Sequence, residues 1–74
     1  MTKLEEFYVI VDRRQLDYAK GGGYGTTNLD EAQIFQSKEE ALKELYTYDN
    51  DIMDYYDVYR VDRTIEIYFE LVKE

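Results

Sequence analysis
From Phe7 to Asp12 the chain reads Phe-Tyr-Val-Ile-Val-Asp, apolar at odd and even positions alike. A strand with that pattern has both faces covered or lies centrally in its sheet. Arg13, Arg14 and Gln15 form a polar break, after which Leu16 to Lys20 resumes as a short second strand of a hairpin. Four glycines within Gly21 to Gly25, around Tyr24, carry a large ordering entropy and predict an exposed loop without regular structure. Asn28 followed by Leu29, Asp30, Glu31 and Ala32 predicts one helical turn, and Gln33 to Phe35 a short strand or extended link into the next helix.

The longest helical pattern follows. Ser37 with Glu40 three residues later is the capping-box spacing, so a helix begins at Lys38. Ala41, Leu42, Leu45 and Tyr48 recur at three and four residues and form one apolar stripe, with Lys38, Glu39, Lys43 and Glu44 opposite. The helix is expected to end near Tyr48 to Asn50, where Asp49, Asn50 and Asp51 are poor helix formers. Tyr55 to Val61 and Thr64 to Val72 then read as two strands around Asp62 and Arg63. In the second, Ile65, Ile67, Phe69 and Leu71 alternate with Glu66, Tyr68 and Glu70, so one face is core and the other meets water or a partner. The pattern predicts an α+β fold: a single small domain over residues 1–74, an antiparallel sheet of about four strands, and one α-helix packed on one face. Leu42, Leu45, Val9, Ile67 and Phe69 are expected to share one core.

Composition narrows the chemistry. The 74 residues include no cysteine and no histidine, which removes disulfides, thiolate nucleophiles, imidazole bases and the common zinc and copper sites. The start of the chain lacks the apolar run and cleavage site of a signal peptide, and no run approaches the roughly 20 apolar residues of a membrane span, so a cytoplasmic protein is expected. Seventeen acidic against nine basic residues give a net charge of -8, which repels nucleic acid and anionic membranes and either favours a basic protein surface as partner or serves solubility alone. Lys20-Gly-Gly-Gly-Tyr-Gly-Thr-Thr lacks the Gly-Lys-Ser/Thr that opens the helix of a phosphate loop. The run from Asp49 lacks the glycine at position six of a calcium loop and has Arg60 where the bidentate Glu at twelve belongs. Neither a cofactor, a metal nor a catalytic residue is therefore assigned, and a domain this small has little room for the pocket that would shift a carboxylate into acid or base work.

What stands out is Tyr46, Tyr48, Asp49, Asp51, Asp54, Tyr55, Tyr56, Asp57 and Tyr59: four aspartates and five tyrosines in fourteen positions, with no basic residue among them. Tyrosine is enriched at binding hot spots, and these acids lack a neighbouring Lys or Arg in sequence. Glu66, Tyr68 and Glu70 repeat the theme on one strand face, the two carboxylates about 13 Å apart at strand rise. Asp49, Asp51, Asp54, Tyr55, Tyr56, Asp57, Glu66, Tyr68 and Glu70 are thus the candidate partner-binding residues.

The stretch Leu-Asp-Glu-Ala-Gln-Ile-Phe-Gln-Ser-Lys-Glu-Glu-Ala, residues 29–41, after the extended Tyr-Val-Ile-Val-Asp and a glycine-bearing turn, resembles small proteins encoded by phages and prophages of Firmicutes. Several small acidic phage proteins of similar size and charge are anti-restriction or anti-CRISPR inhibitors that occupy the DNA-binding groove of a host nuclease. The resemblance implies a non-enzymatic inhibitor whose partner is a basic host protein, a DNA-binding nuclease such as a CRISPR effector, met by carboxylates standing where phosphates would. A phage structural or assembly module, docking a neighbouring copy or subunit through an exposed strand, and a small regulator of a host enzyme are the alternatives from other classes. Oligomeric state is left open.

Overall fold
Glu6–Asp12 (β1) is the central strand of a five-stranded antiparallel sheet, as its two-sided apolar pattern requires. The computed structural model describes residues 6–21, 24–63 and 66–72. The other strands are Asp17–Gly21 (β2), Tyr24–Thr26 (β3), Tyr56–Asp62 (β4) and Tyr68–Leu71 (β5), in the order β3-β2-β1-β4-β5. β1 and β4 pair along their whole lengths, from Glu6 opposite Asp62 to Asp12 opposite Tyr56. β2 pairs with β1 only at Val11 and Asp12, and the free groups of Tyr8 are taken up by Phe35, whose N–H and C=O make two bonds of 2.9 Å with it.

The helix Lys38–Leu45 (α1) starts where the capping signal puts it. The Ser37 hydroxyl accepts from the Glu40 amide at 3.2 Å, and the Glu40 carboxylate accepts from the Gln36 amide at 3.2 Å, one residue further back than a reciprocal box. Leu29–Glu31 forms the expected single turn, a 3-10 turn capped by the Asn28 side chain. Ala41 and Leu45 bury against Ile10, Ala19, Phe35 and Val58, with Leu42, Tyr48, Met53 and Tyr56 at the margin. Even-numbered β1 residues therefore face the helix. Odd-numbered ones, Phe7 and Val9, join Val61 in a second cluster on the far face of the sheet, partly roofed by Leu29 and Ala32.

Four expectations are corrected. The sheet has five strands instead of about four, because Tyr24–Thr26 pairs with β2 where the glycines predicted a loop. Gly21 supplies the turn with a φ of +102°, and at Gly25 a Cβ would meet the Asp17 carboxylate, so two of the glycines serve pairing instead of preventing it. Gly22 and Gly23 lie outside the described residues. The helix ends at Leu45, not near Tyr48, since the Thr47 and Tyr48 amides bond three residues back to Glu44 and Leu45 and tighten the end; a second helix, Asn50–Met53 (α2), follows. The anticipated common core is divided by the sheet: Leu45 lies on one side and Val9 on the other. Ile67 and Phe69 belong to neither cluster of buried residues, being 50% and 42% exposed. The last strand begins at Tyr68, and the expectation for Thr64 and Ile65 falls outside the described residues.

Candidate functional site
Asp49, Asp51 and Asp54 occupy the connection between α1 and β4, and all three are exposed. They project because the apolar members of the same turn are anchored: Met53 and Tyr48 pack on the Ile10 and Val58 cluster. The Ile52 and Met53 amides both bond to the Asp49 carbonyl, at 3.1 and 2.9 Å, fixing the turn itself. Among the described residues no Lys or Arg lies within ion-pair distance of these three carboxylates. Tyr48 meets Tyr56 edge to face, with ring centroids 4.9 Å apart. Burial, then the nearby Glu44 and Tyr56, push the Tyr48 hydroxyl up to about 12, so it stays neutral and able to donate at physiological pH.

The remaining residues of the run meet cations that the linear sequence does not place beside them. Arg13 lies 3.1 Å from the Asp57 carboxylate. The Arg14 guanidinium sits 4.5 Å from the Tyr55 ring centroid and 5.7 Å from that of Tyr56, a cation–π arrangement. Arg14 also donates from Nε (3.1 Å) and an Nη (3.0 Å) to the two carboxylate oxygens of Asp12, whose Oδ1 accepts from the Arg14 amide as well at 2.9 Å. Asp12 is only 3% exposed, and its hydrogen bonds from Arg14 hold it below the usual carboxylate range despite burial. This Asp12–Arg14–Tyr55–Tyr56 cluster went unread in the sequence. Its local signal is an Asp two residues before an Arg at a hairpin turn, where the Asp side chain caps the backbone.

Glu66, Tyr68 and Glu70 form a separate group. The Tyr68 hydroxyl donates to Glu66 at 2.6 Å, and that bond raises its pKa. Glu70 stands 3.6 Å from Arg60, which also binds Glu6 at 3.0 Å. Tyr68 pairs with Asp62 at the far end of β4 from Asp57, five residues or about 17 Å away at strand rise, so the two acidic groups do not merge. All four arginines are thus consumed internally, the last by Asp30, 2.8 Å from Arg63.

Two concavities lie among the described residues. A polar cleft of about 390 Å³ lies between the helix side of the sheet and the α1–α2 connection, walled by Asp12, Asp17, Glu44, Asp49, Tyr24 and Tyr48. Among the described residues no group of three or more acids is placed to hold a metal ion. On the opposite face a shallow apolar groove of about 240 Å³ is lined by Val11, Leu16, Asp17, Tyr18, Tyr59 and Phe69. Tyr18 and Phe69 stack across it with centroids 6.2 Å apart, and Tyr59 meets Phe69 edge-on at 6.3 Å. No protein-family model, curated protein or solved structure matches this chain. The surface offers projecting carboxylates with a tyrosine beside them, and an apolar groove on the opposite face of the sheet. No helix among the described residues is long and apolar enough to cross a membrane.

Proposed function
We propose that this is a non-enzymatic inhibitor from a phage or mobile element, which sets carboxylates into the basic groove of a host DNA-binding nuclease, a CRISPR effector or a restriction enzyme. The observation that carries the reading is the fate of the arginines. Each is spent on an internal acid, so Asp49, Asp51 and Asp54 face solvent without a counter-charge among the described residues. Tyr55, exposed beside them and backed by Arg14, adds an aromatic anchor of the type enriched at hot spots. Within the predicted set, Tyr56 and Asp57 become supports, and Glu66, Tyr68 and Glu70 a second contact region.

Magnitudes limit the kind of mimicry. A net charge of -8 along a longest dimension of 44 Å is one charge per about 5.5 Å (44 divided by 8), against about 3.4 Å for one DNA strand and about 1.7 Å for the duplex. The charge suits a stretch of single strand or a few phosphate sites better than a whole duplex. Paired carboxylate oxygens also satisfy base-reading arginines, whose fork of N–H groups donates to carboxylate as well as to phosphate.

The test is displacement of a labelled duplex from a guide-loaded CRISPR effector and from a restriction endonuclease. Wild type is expected to compete, with affinity falling steeply between low and physiological salt, and Asp49→Lys/Asp51→Lys/Asp54→Lys to lose competition while keeping its fold. Undisturbed DNA in every case overturns the reading. Binding that ignores salt moves the function to the second reading, an assembly or regulatory module docking through apolar surface, which the half-exposed Phe69 and Leu71 favour.

A further inference from the structure
Among the described residues, Asp12 is the only buried side chain that carries a charge. Taking a carboxylate out of water is costly, and an apolar pair of the same volume is often as stable as a buried ion pair. What the ion pair supplies that an apolar one cannot is direction. Arg14 donates through Nε and an Nη to the two Asp12 oxygens, which fixes the plane of its guanidinium. So fixed, the guanidinium lies over the Tyr55 ring, 4.5 Å from its centroid, and 5.7 Å from that of Tyr56.

Arg13 grips the same stretch. Its amide donates to the Tyr55 carbonyl at 2.8 Å, and its side chain lies 3.1 Å from Asp57, while Asp12 stands opposite Tyr56 in the β1–β4 register. Residues 12–14 therefore hold residues 55–57. From the other side, the Tyr55 amide bonds to the Ile52 carbonyl of α2 at 2.9 Å, and the exposed Asp54 sits between. Tyr55 is 44% exposed, yet its backbone is tied at both N–H and C=O and its ring rests on a fixed cation. An ordinary surface tyrosine samples several rotamers and is ordered only on binding, which weakens the complex. Tyr55 is ordered beforehand.

We propose that Asp12 and Arg14 are positioning residues for a protein contact: they present the Tyr55 ring, with Asp54 beside it, as a preformed anchor for a basic partner surface. The inference rests on the inhibitor reading for the partner and adds what charge alone does not give. If the carboxylates act only through their summed field, a replacement at Arg14 that conserves charge leaves binding as it was. If Arg14 acts by holding Tyr55, the same replacement weakens binding, because the ring must then be ordered at the moment of contact.

Two variants keep the net charge at -8: Arg14→Lys, and Asp12→Asn/Arg14→Gln, in which one positive and one negative charge are removed together. Lysine keeps a cation beside Asp12 but has neither the fork nor the plane, and asparagine in place of Asp12 still accepts from the backbone of the hairpin turn. Each is made in the wild-type and in the Tyr55→Leu background, its fold checked by circular dichroism, and its binding followed on the guide-loaded CRISPR effector and the restriction endonuclease of the displacement assay. Both variants are expected to dissociate about three- to tenfold faster with an unchanged association rate, and to have no further effect once Tyr55 is replaced. In the free protein, the NMR signals of the Tyr55 ring should move toward those of an unstructured peptide. Dissociation as slow as that of wild type, or an equal loss in the Tyr55→Leu background, overturns the proposal. If wild type itself displaces no DNA, the inhibitor reading fails and the anchor with it, whereas a wild type that competes no better than its variants removes the anchor alone and leaves that reading standing.

Discussion
At the scale of single residues, Asp12 ties the hairpin to the start of β4. Its carboxylate is buried, takes two side-chain bonds and one backbone bond from Arg14, and through Arg14 supports the Tyr55 and Tyr56 rings. Because hydrogen bonds from Arg14 hold its folded pKa below the ordinary carboxylate value, Asp12 contributes stability that is complete above the unfolded value and lost as pH falls through the depressed folded one. Asp12→Asn is therefore expected to lower unfolding free energy at neutral pH by about 1.5–3 kcal/mol, the worth of hydrogen bonds to a charged group; Arg14 is partly exposed, so its leftover charge is hydrated and the larger penalty of a buried orphan does not apply. Urea titrations at neutral pH and near pH 3 measure this. The gap between wild type and variant should narrow at the lower pH, and a gap independent of pH would mean that packing, not the carboxylate, is what Asp12 supplies.

At the scale of elements, the two hydrophobic clusters have different strengths. Leu45→Ala empties a buried site between α1 and the sheet and should cost about 2–5 kcal/mol, enough to unfold much of so small a domain. Phe69→Ala removes a ring already 42% exposed and should cost well under half as much. Equal losses in thermal melts would show that the far face is as much core as the helix face. This contrast marks where the sequence was legible. Ser37 with Glu40, and the two-sided run Phe7 to Asp12, encode their structures locally, so α1 and the central strand can be read directly. The alternation of Ile67, Phe69 and Leu71 was visible too, but alternation distinguishes two faces without saying which one is roofed, and α1 packs on the other side of the sheet from Phe69. The third strand was hidden because a glycine-rich hairpin has little side-chain pattern, its register resting on the positive φ of Gly21 and on the close approach at Gly25. Among the candidate site residues, Asp49, Asp51, Asp54 and Tyr55 emerge exposed, while the partners of Asp57 and Tyr56 come from a turn more than forty residues away, a proximity that only the β1–β4 register creates.

At the scale of the whole molecule, acidity opposes folding as well as directing association. With -8 on a body of 44 × 24 × 19 Å and its arginines paired locally, the net long-range term is repulsion among carboxylates. Among the described residues the exposed pairs Arg13–Asp57, Arg60–Glu6, Arg60–Glu70 and Arg63–Asp30 pull the other way, but such pairs are each worth about 0–1 kcal/mol and are screened by the same salt. Repulsion is spread over all seventeen acids and so should dominate the balance. The melting temperature is expected to rise as NaCl is added toward about 0.5 M, where the Debye length falls well below the roughly 10 Å it has at 0.1 M. Reversing Asp49, Asp51 and Asp54 to Lys changes the net charge from -8 to -2, since each substitution adds two charges and three add six. At low salt that variant should melt higher than wild type, by about 4–8 °C if the relief amounts to about 1 kcal/mol, and its melting should depend less on salt. These opposite demands on the same three residues separate stability from function: an acid retained only for solubility is replaced without loss of binding, whereas one that meets a basic groove is replaced at the expense of binding while the fold gains. A melting temperature that falls with salt, or a reversed variant that melts lower than wild type, would show that the ion pairs outweigh the repulsion and that these carboxylates belong to the architecture of the fold.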